Sequence, residues 1–239
     1  MTWSLLAHDP ATGALAVAVT TCNLAVGASC PYLRAGVGAV STQSITNRYL
    51  GPAALDALAR GLAPALALDS VLAGDEGRGL RQVHALDARG RAAAHTGANC
   101  VEWCGALRGE GWSLAGNMLA GPEVLAATRD AFLAHAGLPL PERMVAALQA
   151  GEAAGGDRRG RQSAAIQLVT TEAFPDLDLR VDDHSEPLGE LARLLALWRR
   201  DRAPALGRQP RLAQPAGSLD LDAMEAAWAA KGLDLRFRR

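Results

Sequence analysis

The second residue of the chain, Thr2, places a hydroxyl where removal of Met1 would also create a free α-amine. A hydroxyl and an amine on one residue form a nucleophile with its own general base. Methionine is commonly removed ahead of a small residue such as threonine, although many ordinary proteins also begin in this way. The run up to His8 is apolar and has no leader, so we expect Thr2 at the mouth of the first buried strand.

A second dense group of polar residues spans Gly155–Ala164, where a predicted helix gives way to a buried strand. Its glycines permit unusual backbone angles and close approach to a ligand. Asp157 and Arg159 could orient a nucleophile or clamp a carboxylate, but the chemistry of the residues alone favours a solvated helix-to-strand loop with surface ion pairs. Gln162 and Ser163 begin the buried strand, where polar groups need hydrogen-bond partners.

Asn117 ends a predicted strand just before a helix. An asparagine there can donate to an oxyanion, and it can equally form an Asx turn or a helix cap. Asp183 and His184 follow another strand, but the chain has no Gly-x-Ser-x-Gly elbow of a serine hydrolase. We therefore interpret the Asp183 and His184 pair as a strand end and a cap of the next helix.

The pair Cys100 and Cys104, with His95 nearby, does not have the spacing of a standard zinc site. Reduced cysteines are the default in the cytosol. We expect no metal and no cofactor.

The composition limits the partners of the chain. It has 239 residues, is 49 % hydrophobic and carries a formal net charge of −1, with Lys231 as its one lysine. This balance offers no electrostatic basis for binding nucleic acid or an anionic membrane. No run approaches the ~20 apolar residues of a membrane helix. His8 and Asp9 interrupt any signal peptide, so we expect a cytoplasmic protein.

A hairpin is predicted to position Thr2. Its strands are expected over Trp3–His8 and Ala14–Cys22. The turn signal at Asp9–Gly13 makes the numbers of cross-strand partners sum to about 22 or 23. Thr2 then faces Thr20 or Thr21, so the hairpin brings polar side chains to the start of the chain.

The remaining elements alternate in groups of strands and helices. Strands are expected over Val37–Gln43, Gln82–Leu86, Arg91–Thr96, Trp112–Gly116, Ser163–Thr170 and Leu177–Val181, and helices over Pro52–Arg60, Pro64–Ala73, Pro122–Ala136, Pro141–Glu152 and Pro187–Arg200. Strands that recur in hairpins favour antiparallel sheets with helices on their outer faces. Ala14–Val19 is apolar throughout, which is typical of a strand buried on both faces. We predict an α+β fold, a four-layer αββα sandwich of two antiparallel sheets over residues 1–200.

Residues 201–239 are predicted to form a linker and a short helix over Asp220–Ala230. This segment is too small for a core of its own. We expect its apolar side chains to cover either this domain or a neighbouring subunit, with a homodimer as the expected assembly.

Taken together, these segments resemble a bacterial and archaeal family of N-terminal-nucleophile (Ntn) hydrolase-like proteins known as a domain of unknown function. The matching stretches are Thr2–Ser4, Asp9–Pro10, Thr12–Gly13, Ala16–Val19, Ala25–Gly27, Arg34–Val40, Thr42–Gln43, His95–Gly97, Gly116–Pro122, Gly155–Ala165 and Asp178–His184. The likeness extends to about Trp198, and Gly155–Ala165 is its most specific part.

The resemblance implies the Ntn-hydrolase fold, which is the same αββα sandwich, and amide hydrolysis through an acyl-enzyme. Thr2 matches the position of the nucleophile, and Asn117 or backbone N–H groups would hold the oxyanion. Proteasome-type sites also use a lysine, for which Arg34 is the candidate here. Residues expected to contact the substrate or support the site are Thr20, Thr21, Arg34, Thr42, Gln43, Asp157, Arg159, Gln162 and Ser163. The expected substrate is a small amide or short peptide, and a non-catalytic binding or scaffold protein is the alternative.

Overall fold

The fold is given by a computed structural model, which describes residues 2–238. The chain divides into two compact units, one up to Ala196 and one from Leu197 onward. The division falls four residues before the boundary expected at residue 200. No helix within residues 2–238 is both long and apolar enough to span a membrane.

The first unit contains a six-stranded antiparallel sheet. Its strands are β1 (Thr2–Asp9), β2 (Ala14–Thr21), β7 (Gly105–Gly109), β8 (Trp112–Asn117), β9 (Ser163–Val169) and β10 (Leu177–Val181). They are arranged in the order β10-β9-β2-β1-β8-β7. The hairpin of β1 and β2 is confirmed, with Trp3 opposite Thr20 and Ser4 opposite Val19. Every residue of β2 is buried, as its apolar run predicts, because the helix Leu140–Ala153 covers one face of the strand and the second sheet contacts the other.

The second sheet has four antiparallel strands in the order β3-β4-β5-β6. These are β3 (Pro31–Arg34), β4 (Gly38–Ser44), β5 (Arg81–Asp87) and β6 (Ala92–Thr96). Strands β3 and β7 were not predicted from the sequence. Both are short strands at the edges of their sheets, where half-exposed residues weaken the apolar pattern that marks a strand.

Helices cover the two sheets separately. They are α1 (Leu50–Ala59), α2 (Pro64–Leu72), α3 (Glu123–Ala134), α4 (Leu140–Ala153) and α5 (Pro187–Leu197). Helices α1 and α2 pack on the four-stranded sheet, and α3 and α4 pack on the six-stranded sheet. The two sheets also contact each other, through β1 with β4 and β5 with β8. The unit is therefore a mixed α+β fold with two antiparallel sheets, as predicted.

The regular structure of the second unit consists of short helical segments. It contains a π-helical turn at Trp198–Arg202, then α6 (Ala203–Leu206) and α7 (Leu221–Ala229). The predicted short helix is confirmed as α7, and no residue of it is buried. Trp228 stacks against Phe237 with ring centroids 5.0 Å apart.

Candidate active site

Residues from both sheets meet at one end of the first unit. Thr2 begins β1 and lies opposite Asn117, the last residue of β8. Thr21 ends β2 opposite Ser163, the first residue of β9. Gln43 lies near the end of β4 in the other sheet. Four strands of one sheet and one of the other thus bring five predicted site residues together.

Backbone strain concentrates at this end of the sheets. Within residues 2–238, the non-glycine residues with positive φ are Ala25 (55°), Ser44 (74°) and Met118 (53°). Ser44 is the last residue of β4, Met118 directly follows β8, and Ala25 lies in the loop after β2. Such conformations are costly and cluster at functional sites. Their clustering marks the same end of the molecule as the polar residues do.

Thr2 is held by side chains from three strands. Its hydroxyl donates a hydrogen bond to the Thr21 Oγ1 at 3.2 Å, which confirms the predicted contact across the hairpin. Its carbonyl oxygen accepts from Gln43 Nε2 at 3.2 Å and from Asn117 Nδ2 at 3.4 Å. Thr2 is only 5 % exposed. These bonds fix its main chain between the two sheets.

Gln82 completes a buried amide network that the sequence analysis missed. Gln43 and Gln82 are cross-strand partners on β4 and β5, and Gln43 Nε2 donates to Gln82 Oε1 at 2.8 Å. Gln82 Nε2 donates to the carbonyl of Gly116 at 2.8 Å. Both glutamines are fully buried. The available signal was a glutamine at the end of one predicted strand, Val37–Gln43, and another at the start of the next, Gln82–Leu86.

The role of Asn117 in the structure differs from the predicted one. Its amino group donates to Gln82 Oε1 at 3.0 Å and to the Thr2 carbonyl, so both amide hydrogens have acceptors within the protein. No hydrogen remains for an oxyanion, and the prediction that Asn117 donates to one is wrong. Its Oδ1 is buried and has no partner among the described residues. Asn117 positions Thr2 and leaves one acceptor beside it.

A buried histidine links the two sheets. Ser4 Oγ donates to Gln43 Oε1 at 2.8 Å and lies 2.8 Å from His84 Nε2. Because the single Ser4 hydrogen is used on Gln43, Nε2 of His84 carries the hydrogen and Nδ1 accepts from Ser113, 2.9 Å away. Burial lowers the pKa of His84 to about 3. His84 is therefore a neutral structural bridge, which no sequence pattern indicated.

The loop before β9 is tied to the end of β2. Asp157 is 7 % exposed and accepts from the backbone N–H groups of Cys22 and Arg159, each at 2.8 Å. The Arg159 guanidinium adds a contact at 3.3 Å. Gln162 donates to Asp183 at 3.1 Å. The interpretation of this segment as a solvated loop is wrong for Asp157, which is a buried structural carboxylate.

Ser163 belongs to the same structural connection. Its hydroxyl donates to the Asn23 carbonyl at 2.5 Å and accepts from the Val26 N–H at 3.1 Å. Its own carbonyl accepts from the Thr20 hydroxyl at 3.1 Å. Ser163 therefore orders the loop after β2 beside the site, and its hydroxyl is already engaged as donor and acceptor.

Two predicted site residues lie away from Thr2. Arg34 pairs with Gly38, which is five residues from Gln43 along β4, or roughly 16 Å at the rise of a strand. It forms an exposed ion pair with Asp56 at 2.8 Å. Arg34 therefore does not take the place of a catalytic lysine. Thr42 points to the opposite face from Gln43 and donates to a backbone carbonyl in the loop after β4.

The two cysteines whose spacing was compared with that of a zinc site, Cys100 and Cys104, hydrogen-bond to backbone carbonyls. Cys100 Sγ donates to the Arg81 carbonyl at 3.4 Å, and Cys104 Sγ donates to the Cys100 carbonyl at 3.8 Å. His95 Nε2 lies 2.9 Å from the Arg78 carbonyl. Across residues 2–238, no three His, Cys, Asp or Glu side chains are grouped so that they could hold a metal ion.

A cleft of about 160 Å³ opens beside Thr21. Its walls include Trp3, Thr20, Thr21, Glu152, Asp157 and Arg161, together with Gly155, Gly156 and Gly160. The cleft is therefore bounded by the end of α4, the glycine-rich loop, the start of β1 and the end of β2.

Comparison with known proteins places this arrangement in a family. A model described as a family of unknown function, DUF1028, matches residues 2–191, which include both sheets. The chain belongs to the DUF1028 family. This confirms the resemblance at the level of the family, and the match ends before the second unit of the chain.

A crystal structure from the DUF1028 family has the same fold. It is that of protein SPO2555 from Silicibacter pomeroyi, with 33 % identity and a TM-score of 0.85, covering 92 % of this chain and 96 % of that one. Anbu (ancestral beta-subunit) from Yersinia bercovieri aligns with 11 % identity and a TM-score of 0.39, covering 89 % of this chain and 99 % of its own. No curated protein matches the chain.

Proposed function

We propose that this DUF1028 protein is an N-terminal-nucleophile amidohydrolase that cleaves an amide bond in a small molecule or short peptide. The observation that carries the proposal is the fixed position of Thr2, with its hydroxyl 3.2 Å from that of Thr21 and its carbonyl bound by amides from both sheets. Helices α1 and α2 on one sheet, with α3 and α4 on the other, support the four-layer αββα sandwich of that hydrolase class.

The reaction follows from the two groups that Thr2 would carry after Met1 is removed. The neutral α-amine takes the hydroxyl proton as Oγ1 bonds to the amide carbon. The protonated amine then gives that proton to the leaving nitrogen, the C–N bond breaks, and an ester on Thr2 remains. Water, activated by the same amine, hydrolyses the ester and frees the acid. An α-amine with an ordinary pKa of about 7.7–8.0 is partly neutral near pH 7 and can act as this base.

Thr21 and Asn117 would support this step. In the resting arrangement the Thr2 hydroxyl donates to Thr21, which fixes its rotamer. Asn117 Oδ1 is a buried acceptor without a partner among residues 2–238. Its own amide nitrogen lies 3.4 Å from the Thr2 carbonyl. We assign this oxygen to receive an N–H of the Thr2 ammonium that forms when the amine takes the proton, since an unpaired buried acceptor costs free energy.

The burial of Thr2 favours a second candidate function. At 5 % exposure, its hydroxyl offers a substrate little access. A non-catalytic member of the same fold, which binds a ligand or serves as a scaffold, accounts for that burial.

The decisive experiment compares processed and unprocessed protein. Intact-mass analysis identifies the form that lacks Met1, and a panel of amides and short peptides is then offered to each form. We expect Thr2→Ala to abolish turnover, retention of Met1 to reduce it by roughly 10²–10⁴-fold through loss of the base, and Thr2→Ser to retain part of it. Thr12→Ala, at the exposed far end of the same hairpin, is the control. Equal turnover with and without Met1 would refute the mechanism, and no turnover by Met1-free protein would favour the binding function.

A further inference from the structure

The loop that follows β4 is held in place by side chains on β4 and β5 and by Asp75. The Asn47 carbonyl accepts from Thr42 Oγ1 at 3.2 Å, and Asn47 Nδ2 donates to Asp75 Oδ2 at 3.0 Å. Arg81 Nη1 donates to the Ile45 carbonyl at 2.7 Å, and Arg81 Nε forms an ion pair with Asp75 at 2.9 Å. The loop therefore has the support that a precise binding site needs from its surroundings.

This loop presents a cation together with exposed apolar side chains. Ile45 is 55 % exposed and Tyr49 is 87 % exposed. Arg48 is also exposed, and its Nη2 donates to the Ala28 carbonyl at 2.6 Å. Among residues 2–238 this is the one hydrogen bond of the Arg48 side chain. Because a guanidinium has several N–H donors in a planar fork, the others remain available to a ligand.

Arg48 has no carboxylate partner within the described part of the chain. Three acids near this end of the fold each form an ion pair with another arginine, namely Asp75 with Arg81, Asp157 with Arg159 and Asp182 with Arg180. An arginine that is held in place without an acid beside it is suited to bind an anion from outside the chain. Its planar fork matches the two oxygens of a carboxylate.

The Thr2 hydroxyl faces the gap between the two sheets. Ser4 donates to Gln43 of the other sheet, so its side chain points toward that sheet. Side chains two residues apart on a strand share a face, so Thr2 points the same way. Thr21 lies on this face too, because its hydroxyl is 3.2 Å from that of Thr2. Val19, two residues before Thr21, shares the face as well.

The segment that Arg48 contacts packs on this same face. Val26 and Cys30 form one buried cluster with Val19. Ala28, whose carbonyl accepts from Arg48, lies between them in the chain. Burial raises the pKa of the Cys30 thiol to about 11, and the charge of Arg48 acts against that rise, so the guanidinium is within electrostatic range of the cluster. Arg48 therefore lies on the same side of the six-stranded sheet as the proposed nucleophile.

We propose that Arg48 binds a carboxylate of the substrate, while Ile45 and Tyr49 contact apolar groups next to it. The loop is joined directly to the site, since Ile45 follows by two residues Gln43, whose Nε2 donates to the Thr2 carbonyl at 3.2 Å. The proposal rests on the proposed amidohydrolase function and narrows its substrates to amides or short peptides that carry a carboxylate, such as a free peptide C-terminus.

The test uses probes without an amide bond, so that binding does not require turnover. Sodium hexanoate and hexan-2-one, which has a planar carbonyl but no charge, are titrated into the full-length protein at matched ionic strength. The chain has two isoleucines, the exposed Ile45 and the fully buried Ile166, and their labelled methyl groups are followed by NMR. We expect hexanoate to shift Ile45 saturably and to leave Ile166 unchanged. Binding of the ketone should be roughly tenfold or more weaker, since it lacks the charge-assisted bonds.

Matched variants then test the arginine. Arg48→Gln should weaken hexanoate binding by roughly tenfold or more, with the Ile166 methyl resonance reporting an intact core. Arg89→Gln makes the same change of charge in the turn between β5 and β6, at the far end of the sheet, and should change the affinity less than twofold. No saturable shift of Ile45 in the wild-type protein, equal binding of the ketone, or full binding by Arg48→Gln would overturn the proposal. The first two results need no variant to fold.

The two proposals fail in distinguishable ways. Thr2→Ala should keep the hexanoate affinity, because Arg48 and not Thr2 holds the probe. Hexanoate binding that depends on Arg48, without turnover of any amide, would refute the hydrolase and leave the carboxylate site standing. Turnover with equal kcat/KM for a short peptide and for the same peptide with an amidated C-terminus would refute the carboxylate site alone.

Discussion

Asn117 provides two substitutions that separate shape from hydrogen bonding. Asn117→Ala removes the amino group, but both of its acceptors keep another donor, because Gln43 Nε2 reaches Gln82 Oε1 at 2.8 Å and the Thr2 carbonyl at 3.2 Å. No buried atom is left unpaired. The expected loss of stability is therefore that of two net hydrogen bonds, about 2 kcal/mol together.

Asn117→Asp keeps the shape and should nevertheless cost more. A carboxylate oxygen would replace the amino group opposite Gln82 Oε1 and the Thr2 carbonyl, which are both acceptors. Gln82 cannot turn its amide to help, because its Nε2 donates to the Gly116 carbonyl at 2.8 Å and to the Gly105 carbonyl at 3.1 Å. In protein that retains Met1, where Thr2 carries no ammonium to face it, this buried charge is uncompensated and costs about 3–5 kcal/mol, more than the alanine variant loses.

The penalty of the aspartate should depend on pH. Its folded-state pKa would be raised above the unfolded value of about 3.9, since burial and facing acceptors oppose the charge. A group with a raised folded pKa loses stability as pH rises through that value. The aspartate variant should therefore approach the alanine variant near pH 4 and fall below it at pH 7.5. Urea unfolding of wild type and both variants at each pH measures the difference. An aspartate variant more stable than the alanine variant at pH 7.5 would refute the placement of the Asn117 amino group.

Three further predictions concern the framework. The pKa of His84 is about 3 in the folded protein because of burial, and about 6.5 in the unfolded chain. The free energy of unfolding should therefore fall as the pH decreases below 6.5, by up to ~1.4 kcal/mol per pH unit. His84→Gln should flatten this slope in urea unfolding. Gly151→Ala would place a Cβ in steric overlap with Thr128 Oγ1 and should lower the free energy of unfolding by about 1–3 kcal/mol, whereas Gly137→Ala meets no atom within 4 Å and should not. Light scattering at micromolar concentration should show a homodimer, and a monomer unchanged in solubility by deletion of residues 218–239 would remove that expectation.

Much of the fold could be predicted because its signals are local. The turn at Asp9–Gly13 fixes the register of the first hairpin, and that register alone brings Thr2 opposite Thr21. Prolines and glycines mark the ends of α1–α4, so their predicted bounds lie within two residues of the observed ones. The edge strands β3 and β7 escaped prediction because one open side leaves their residues without an apolar pattern.

The sequence by itself determined a hairpin with a threonine at its start, a glycine-rich loop before a buried strand, and membership of the family. Only the tertiary structure decided which polar residues meet. Gln43 and Gln82 are 39 residues apart and Asn117 follows 35 later, yet Gln43 and Asn117 both donate to Gln82, because β4 lies beside β5 and β8 of the other sheet packs against β5. The same packing separates Arg34 from Thr2. Proximity across sheets depends on the alignment of whole layers, which no local pattern encodes.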